Sequence, residues 1–212
     1  MTGLNNIEKR AAFSLATVFG LRMLGLFMIL PIFAIYGKEL SGYSPIWLGL
    51  AIGAYGLTQA LLQIPMGILS DKYGRKPIIL IGLVIFCLGS VVAAMSDTIY
   101  GVVIGRCIQG MGAIASAVLA LAADLSREDQ RPKVMATIGM FIGVSFTVAM
   151  VVGPIVAEAF GLSGLFWFTA VLTILAMVMI QFMVPNSVNK APRGDNVALP
   201  AQLSKLIKHP QL

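Results

Sequence analysis

Acidic residues are scarce in this chain. Only nine of its 212 residues are Asp or Glu, and none lies near the middle of a long apolar run. Histidine occurs once, at His209 beside Pro210, and cysteine twice, at Cys87 and Cys107, inside apolar stretches with neither CxxC spacing nor a histidine partner. These shortages exclude whole classes of chemistry. No His cluster or cysteine pair offers a metal site or a disulfide framework. No pair of membrane-depth carboxylates offers acid–base hydrolysis, and no serine sits on a nucleophile elbow, so the chain is expected not to be an enzyme and to hold neither metal nor cofactor. The cysteines read as small apolar fillers and His209 as a solvated residue. Charge of either sign is thin: 11% of residues are charged against 58% hydrophobic, far outside the soluble globular range.

What the chain does have is length of apolar sequence. Six stretches, at about 11–35, 46–69, 78–96, 99–122, 133–157 and 163–184, are each long enough to cross a bilayer, which takes roughly 20 helical residues. Lys9 and Arg10 before the first stretch resemble the start of a secretion signal. That stretch is longer than a signal's apolar core and contains Arg22, so it reads as a retained helix. The net charge of +6 does not point to nucleic acid, because the basic residues fall in short clusters between the spans. Those clusters alternate. Lys9 and Arg10, Lys72 with Arg75 and Lys76, Arg127 with Arg131 and Lys133, and Lys190 with Arg193, Lys205 and Lys208 share one face, while Lys38, Glu39, Asp97 and Glu158 fall on the other. The positive-inside rule then puts both ends in the cytoplasm, with the bilayer as the first partner. Residues 1–185 read as a six-helix bundle, and 186–212 as a polar linker followed, from Val197 to Leu212, by an amphipathic helix on the membrane surface.

The most informative stretch is Gly67 to Pro77, GILSDKYGRKP, a short charged connection between the second and third spans. Gly67 and Gly74 allow close helix approach and a turn that a Cβ would penalise, and Pro77 suits the first position of the next helix. A turn needs no more than that. The ordered series Gly67, Leu69, Asp71, Gly74, Arg75 and Lys76 resembles the signature G-x-L-a-D-r-x-G-R-k-x of the major facilitator superfamily of secondary transporters. On that resemblance the chain is all-α, the N-terminal six-helix half of a twelve-helix fold built as an inverted repeat of three helices plus three. The implied partners are a C-terminal six-helix half, a small-molecule substrate and protons.

Two further constellations follow. Arg22 in the first span and Arg106 in the fourth are charges at hydrocarbon depth, where an unpaired ion costs several kcal/mol, so a functional role is the default reading. Arg106, Gln109, Gly110, Gly112 and Ala113 resemble a second signature, R-x-x-Q-G-x-G-A, of proton-coupled members. The resemblance places Arg22, Arg106, Gln109 and Gln59 around a cavity and in proton coupling, with Gly110 and Gly112 packing helices. Snorkelling of Arg106 to the outer headgroups is the alternative. Gly153 and Pro154 match part of the glycine-rich antiporter signature, although Met140, Ala149, Ala157 and Glu158 stand where further glycines are usual. Pro31 and Pro65 are placed to kink their helices.

Asp124 closes the fourth span in the same layer as Arg75, and the two are expected to pair. The resemblance implies the same pair, with Asp71 capping a helix of the other half, so that Gly67, Asp71, Gly74, Arg75, Lys76 and Asp124 act as a gate on conformation. A solvated charge cluster is the plain alternative. The local sequence, in LRMLG, YGLTQA, QIP and LFW followed by VPNS, looks closest to drug:proton antiporter-like and YajR-type members of bacterial inner membranes. The expected function is alternating-access transport of a small solute, by proton-coupled efflux. The competing expectation is a truncated or non-transporting half that acts only with a partner chain.

Overall fold

The computed structural model describes residues 3–184. The predicted linker and surface helix, with His209, lie outside the described residues. The described residues are helical almost throughout, and the only bridge between extended segments among them joins Ser41 to Thr98.

The first helix, α1 (Asn6–Tyr36), opens on a reciprocal cap in which the Asn5 side chain accepts Glu8 N–H and the Glu8 carboxylate accepts Asn5 N–H, both at 2.8 Å. After a 3₁₀ turn (Gly37–Glu39), α2 (Pro45–Tyr73) starts with Ser44 as cap and Pro45 at its first position. Next come α3 (Arg75–Ala94), α4 (Ile99–Met111), α5 (Ala115–Asp124) and α6 (Arg131–Met183). Among the described residues, five segments are long and apolar enough to cross a membrane.

The last of these is two helices joined at a kink. At 53 residues α6 would be about 80 Å long, far beyond the roughly 30 Å of hydrocarbon. Its backbone turns at Gly161, where φ is 65° and ψ is −167°, a conformation that a Cβ disfavours. Contacts with α1 show the reversal. Going up α6, Phe141 packs on Phe13 (5.5 Å between ring centres) and Phe146 on Phe27 (5.3 Å). Coming down, Phe166 packs on Phe33 (6.1 Å), Thr169 Oγ1 donates to Gly25 O (3.3 Å), and Arg10 Nε donates to Met183 O (3.1 Å).

Three expectations are corrected. The stretch from Gly67 to Pro77 is not a loop: α2 runs through Tyr73, only Gly74 leaves helical geometry (φ 102°, ψ 146°), and Arg75 already starts α3. The charged residues extend the helix ends instead of forming a separate connection. Pro77 is therefore the third residue of α3, still inside the first turn where its missing N–H costs nothing. The fourth span is not continuous either, because 112–114 are non-helical between α4 and α5.

The α1 helix contributes to both large buried clusters. Leu15, Val18 and Phe19 enter one buried cluster with Ile79, Leu83, Leu121, Ile138 and Ile180. Met28, Ile29 and Phe33 enter a second with Ile99, Leu165 and Phe166. Between the two clusters lies a layer with polar groups, and that layer is where the candidate site begins.

Candidate functional site

Two buried arginines occupy this layer. Arg106, 1% exposed, donates from Nε to Ala51 O at 3.2 Å and from a terminal nitrogen to Gln109 Oε1 at 3.0 Å, and Gln109 Nε2 in turn donates to Ser90 Oγ at 2.8 Å. Its guanidinium lies 4.7 Å from the centre of the Tyr55 ring. Arg22, also 1% exposed, donates from one terminal nitrogen to Tyr55 Oη at 3.1 Å and to Gly112 O at 3.0 Å, and lies 5.0 Å from the Phe86 ring centre. Each cation thus sits over an aromatic face, an arrangement that stabilises a desolvated guanidinium. Tyr55 joins the two.

The arginines face protein in this structure and are not open to a cavity among the described residues. The snorkelling alternative for Arg106 is also excluded in this conformation, because its donors reach the α2 backbone and Gln109. Arg22 Nε and its other terminal nitrogen have no hydrogen-bond partner among the described residues. Gln59 is half-buried on α2 with Oε1 unpartnered, and it makes no hydrogen bond to the Arg106 network. Tyr55 and Ser90 were not singled out as partners of the arginines. Their signal was only their polarity at membrane depth.

Arg22 also explains why the break between α4 and α5 is tolerated. A carbonyl freed at a helix interruption inside a membrane must find a donor, and Gly112 O finds the guanidinium. The break is packed from behind. A Cβ on Gly112 would run into Gly82 O, and one on Gly110 into Thr58 Oγ1 and Tyr55 O, so these two glycines press α4 against α3 and α2. Gly153 approaches α1 similarly, since a Cβ there would lie 3.3 Å from Met28 O, and Pro154 lies within α6.

At the basic end of the bundle, Arg75 holds three partners. Nε donates to Asp124 Oδ2 at 3.2 Å, a terminal nitrogen donates to Ser70 Oγ at 2.8 Å, and the same nitrogen forms an ion pair with Asp71. Ser70 Oγ passes the bond on to Gly67 O at 2.7 Å. Arg75 is well covered at 16% side-chain exposure, Asp124 less so at 31%, and Asp71 is open at 58%. Gly67 faces Ser116, 3.2 Å from an ideal Cβ. Lys76 does not join this cluster. Its Nζ donates to Gln181 O (2.9 Å) in the last turn of α6 and to Val184 O (3.1 Å) just after it.

A second ion pair at this end was missed in the sequence. Glu8, 2% exposed in α1, accepts on Oε1 from Arg127 N (3.0 Å) and Nε (2.8 Å), and on Oε2 from an Arg127 terminal nitrogen (3.0 Å) and Asn5 N (2.8 Å). Arg127 also reaches Gly3 O at 3.0 Å. The Glu8 carboxylate raises the Arg127 pKa above its ordinary value, mainly by accepting its side-chain hydrogen bonds. The available signal was N-x-x-E at Asn5 to Glu8, a capping box at the start of an apolar run. The opposite end carries a cavity of about 360 Å³ lined by Glu39, Ser41, Ser96, Asp97 and Phe160 around Gly161.

The family model of the Major Facilitator Superfamily matches residues 15–212. The chain belongs to this superfamily. It is 49% identical over 205 residues to the inner membrane transport protein YajR of Escherichia coli (strain K12), covering 97% of this chain and 45% of that protein. It is 29% identical over 185 residues to the quinolone resistance protein NorA of Staphylococcus aureus (strain N315), covering 86% and 47%. Among solved structures, the human organic anion transporter MFSD10 superposes with a TM-score of 0.75 at 21% identity over 86% of this chain and 49% of that one. The superfamily fold and a multi-pass membrane protein follow. The chain spans about half the length of these relatives.

Proposed function

We propose that this chain forms the N-terminal half of a secondary transporter that carries a small solute across the bacterial inner membrane by alternating access, through proton-coupled efflux, with its basic end in the cytoplasm. The observation that carries this reading is the charge chain Asp71–Arg75–Asp124, which ties the α2–α3 junction to the end of α5. Its Arg75–Asp124 pair joins residues 49 apart in sequence, and Asp71 and Arg75 belong to the stretch that resembles the superfamily signature. An exposed pair contributes at most about 1 kcal/mol, but a bias of about 1–3 kcal/mol shifts two conformations by roughly 5- to 150-fold. Partial cover of Arg75 puts the pair between these limits. It acts as a latch on one conformation, and the membrane-depth arginines shape the path of solute and proton. Relatives named as a drug-resistance protein and an inner-membrane transport protein support export and that location.

The test is transport by the full-length protein in inverted vesicles with an imposed pH gradient, screened over lipophilic cations, organic acids and neutral drugs. Asp71→Asn and Arg75→Gln are expected to lose most flux while membrane levels stay near wild type. Full flux in both variants would remove the latch.

A further inference from the structure

The superfamily signature covers Asp71 and Arg75, and the resemblance pairs Arg75 with Asp124, but neither says what holds Asp124 in place. Asp124 is the last residue of α5, a rod of only ten residues with non-helical chain before it and a turn after it. Its position therefore depends on what grips the two ends of α5. Both grips come from α1. At the membrane-depth end, Arg22 holds Gly112 O at 3.0 Å. At the basic end, three residues beyond Asp124, the Glu8 carboxylate takes three hydrogen bonds from Arg127, including one from its backbone N–H. Between these points Leu15 and Val18 share a buried cluster with Val118, Leu121 and Ala122 of α5.

We infer that Glu8 is a positioning residue for the latch, clamping Arg127 so that α5 presents Asp124 to Arg75. Three features separate this from simple capping of α1. A cap uses one acceptor site of Glu8, toward Asn5 N–H, yet three other hydrogen bonds go to a residue 119 positions away. The pair is charged, bidentate and almost sealed on the Glu8 side, so loss of either partner is felt more strongly than at an exposed pair. The backbone bond fixes the chain itself, not only a side chain, immediately after Ser126, whose hydroxyl donates back to Ala122 O at 2.7 Å. Glu8 touches neither Arg75 nor Asp124 directly and acts through the path of the chain.

This inference rests on reading Arg75–Asp124 as a latch, and its test needs no substrate. Backbone amide hydrogen exchange is measured by peptide on the full-length protein in nanodiscs. Glu8→Gln keeps an acceptor for Asn5 N–H and removes the charge facing Arg127. It is expected to speed exchange about tenfold in residues 120–127 and several-fold in 70–76, with 3–12 little changed. Asn5→Ala should show the reverse pattern. Arg127→Gln, at a half-exposed site, should repeat the Glu8→Gln pattern and stands in if the buried substitution fails to fold. In an Asp124→Asn background, Glu8→Gln should no longer alter residues 70–76. Acceleration confined to 3–12, or an unchanged 70–76 in both Glu8→Gln and Arg127→Gln, overturns the inference. Failure of transport in every assay, with the exchange pattern intact, would count against the transporter reading alone.

Discussion

Arg22 and Gly112 lie 90 residues apart in sequence, and the guanidinium of one donates to the carbonyl of the other at 3.0 Å. The bond closes a gap in the fourth span that no water from the bilayer core could fill. Arg22→Met leaves that carbonyl and the Tyr55 hydroxyl without this donor, which costs about 1–3 kcal/mol. Removal of an under-partnered buried cation offsets part of the loss. The net expectation is a melting temperature lower by several degrees in detergent. An unchanged or higher value would show that the charge costs more than its bonds contribute.

Gly110 has no room for a side chain, since a Cβ would collide with backbone Tyr55 O as well as Thr58 Oγ1. Gly110→Val should therefore separate α2 from α4 and abolish the monodisperse peak in size-exclusion chromatography, a loss of several kcal/mol by overpacking. A normal elution profile would mean that the two helices can part without loss of the fold.

Arg106 organises a chain that runs through Gln109 to Ser90. Arg106→Gln keeps hydrogen-bonding capacity and deletes the charge, so in inverted vesicles the dependence of flux on the imposed pH gradient should flatten or shift. A profile superimposable on wild type would take Arg106 out of coupling and leave it a structural strut.

The ends of the bundle can be told apart by chemistry. Arg10 meets Met183, Lys76 meets Val184 and Arg127 meets Glu8 at one end, whereas Lys38 lies in the turn after α1 at the other. An impermeant amine reagent applied to the outside of intact cells should modify Lys38 and spare Lys72. Modification of Lys72 with Lys38 protected would invert the proposed orientation.

Much of this was visible in the sequence because charge in a greasy chain is rare and its position is constrained. Asp71, Arg75 and Asp124 stood out for that reason, and the structure places Arg75 against Asp124 as expected. The gap expected between the fifth and sixth spans contains Gly161, whose backbone makes the turn. Other features were hidden for physical reasons. The break at 112–114 carries no proline, and its only mark is a glycine in a signature that already explained the glycine as packing. Glu8 was concealed by Lys9 and Arg10 beside it, which dominate any count of local charge, and its partner lies 119 residues away. Polarity at the charged junction suggests a loop, whereas α2 stays helical through Tyr73 because polar residues do not by themselves end a helix.

Lys76 has a consequence of its own. By holding the carbonyls of Gln181 and Val184, it moors the final rod of the bundle to the residue next to Arg75. Whatever polypeptide continues past position 184 departs from a berth one side chain removed from the Asp71–Arg75–Asp124 cluster. A tug on that continuation would be felt there first.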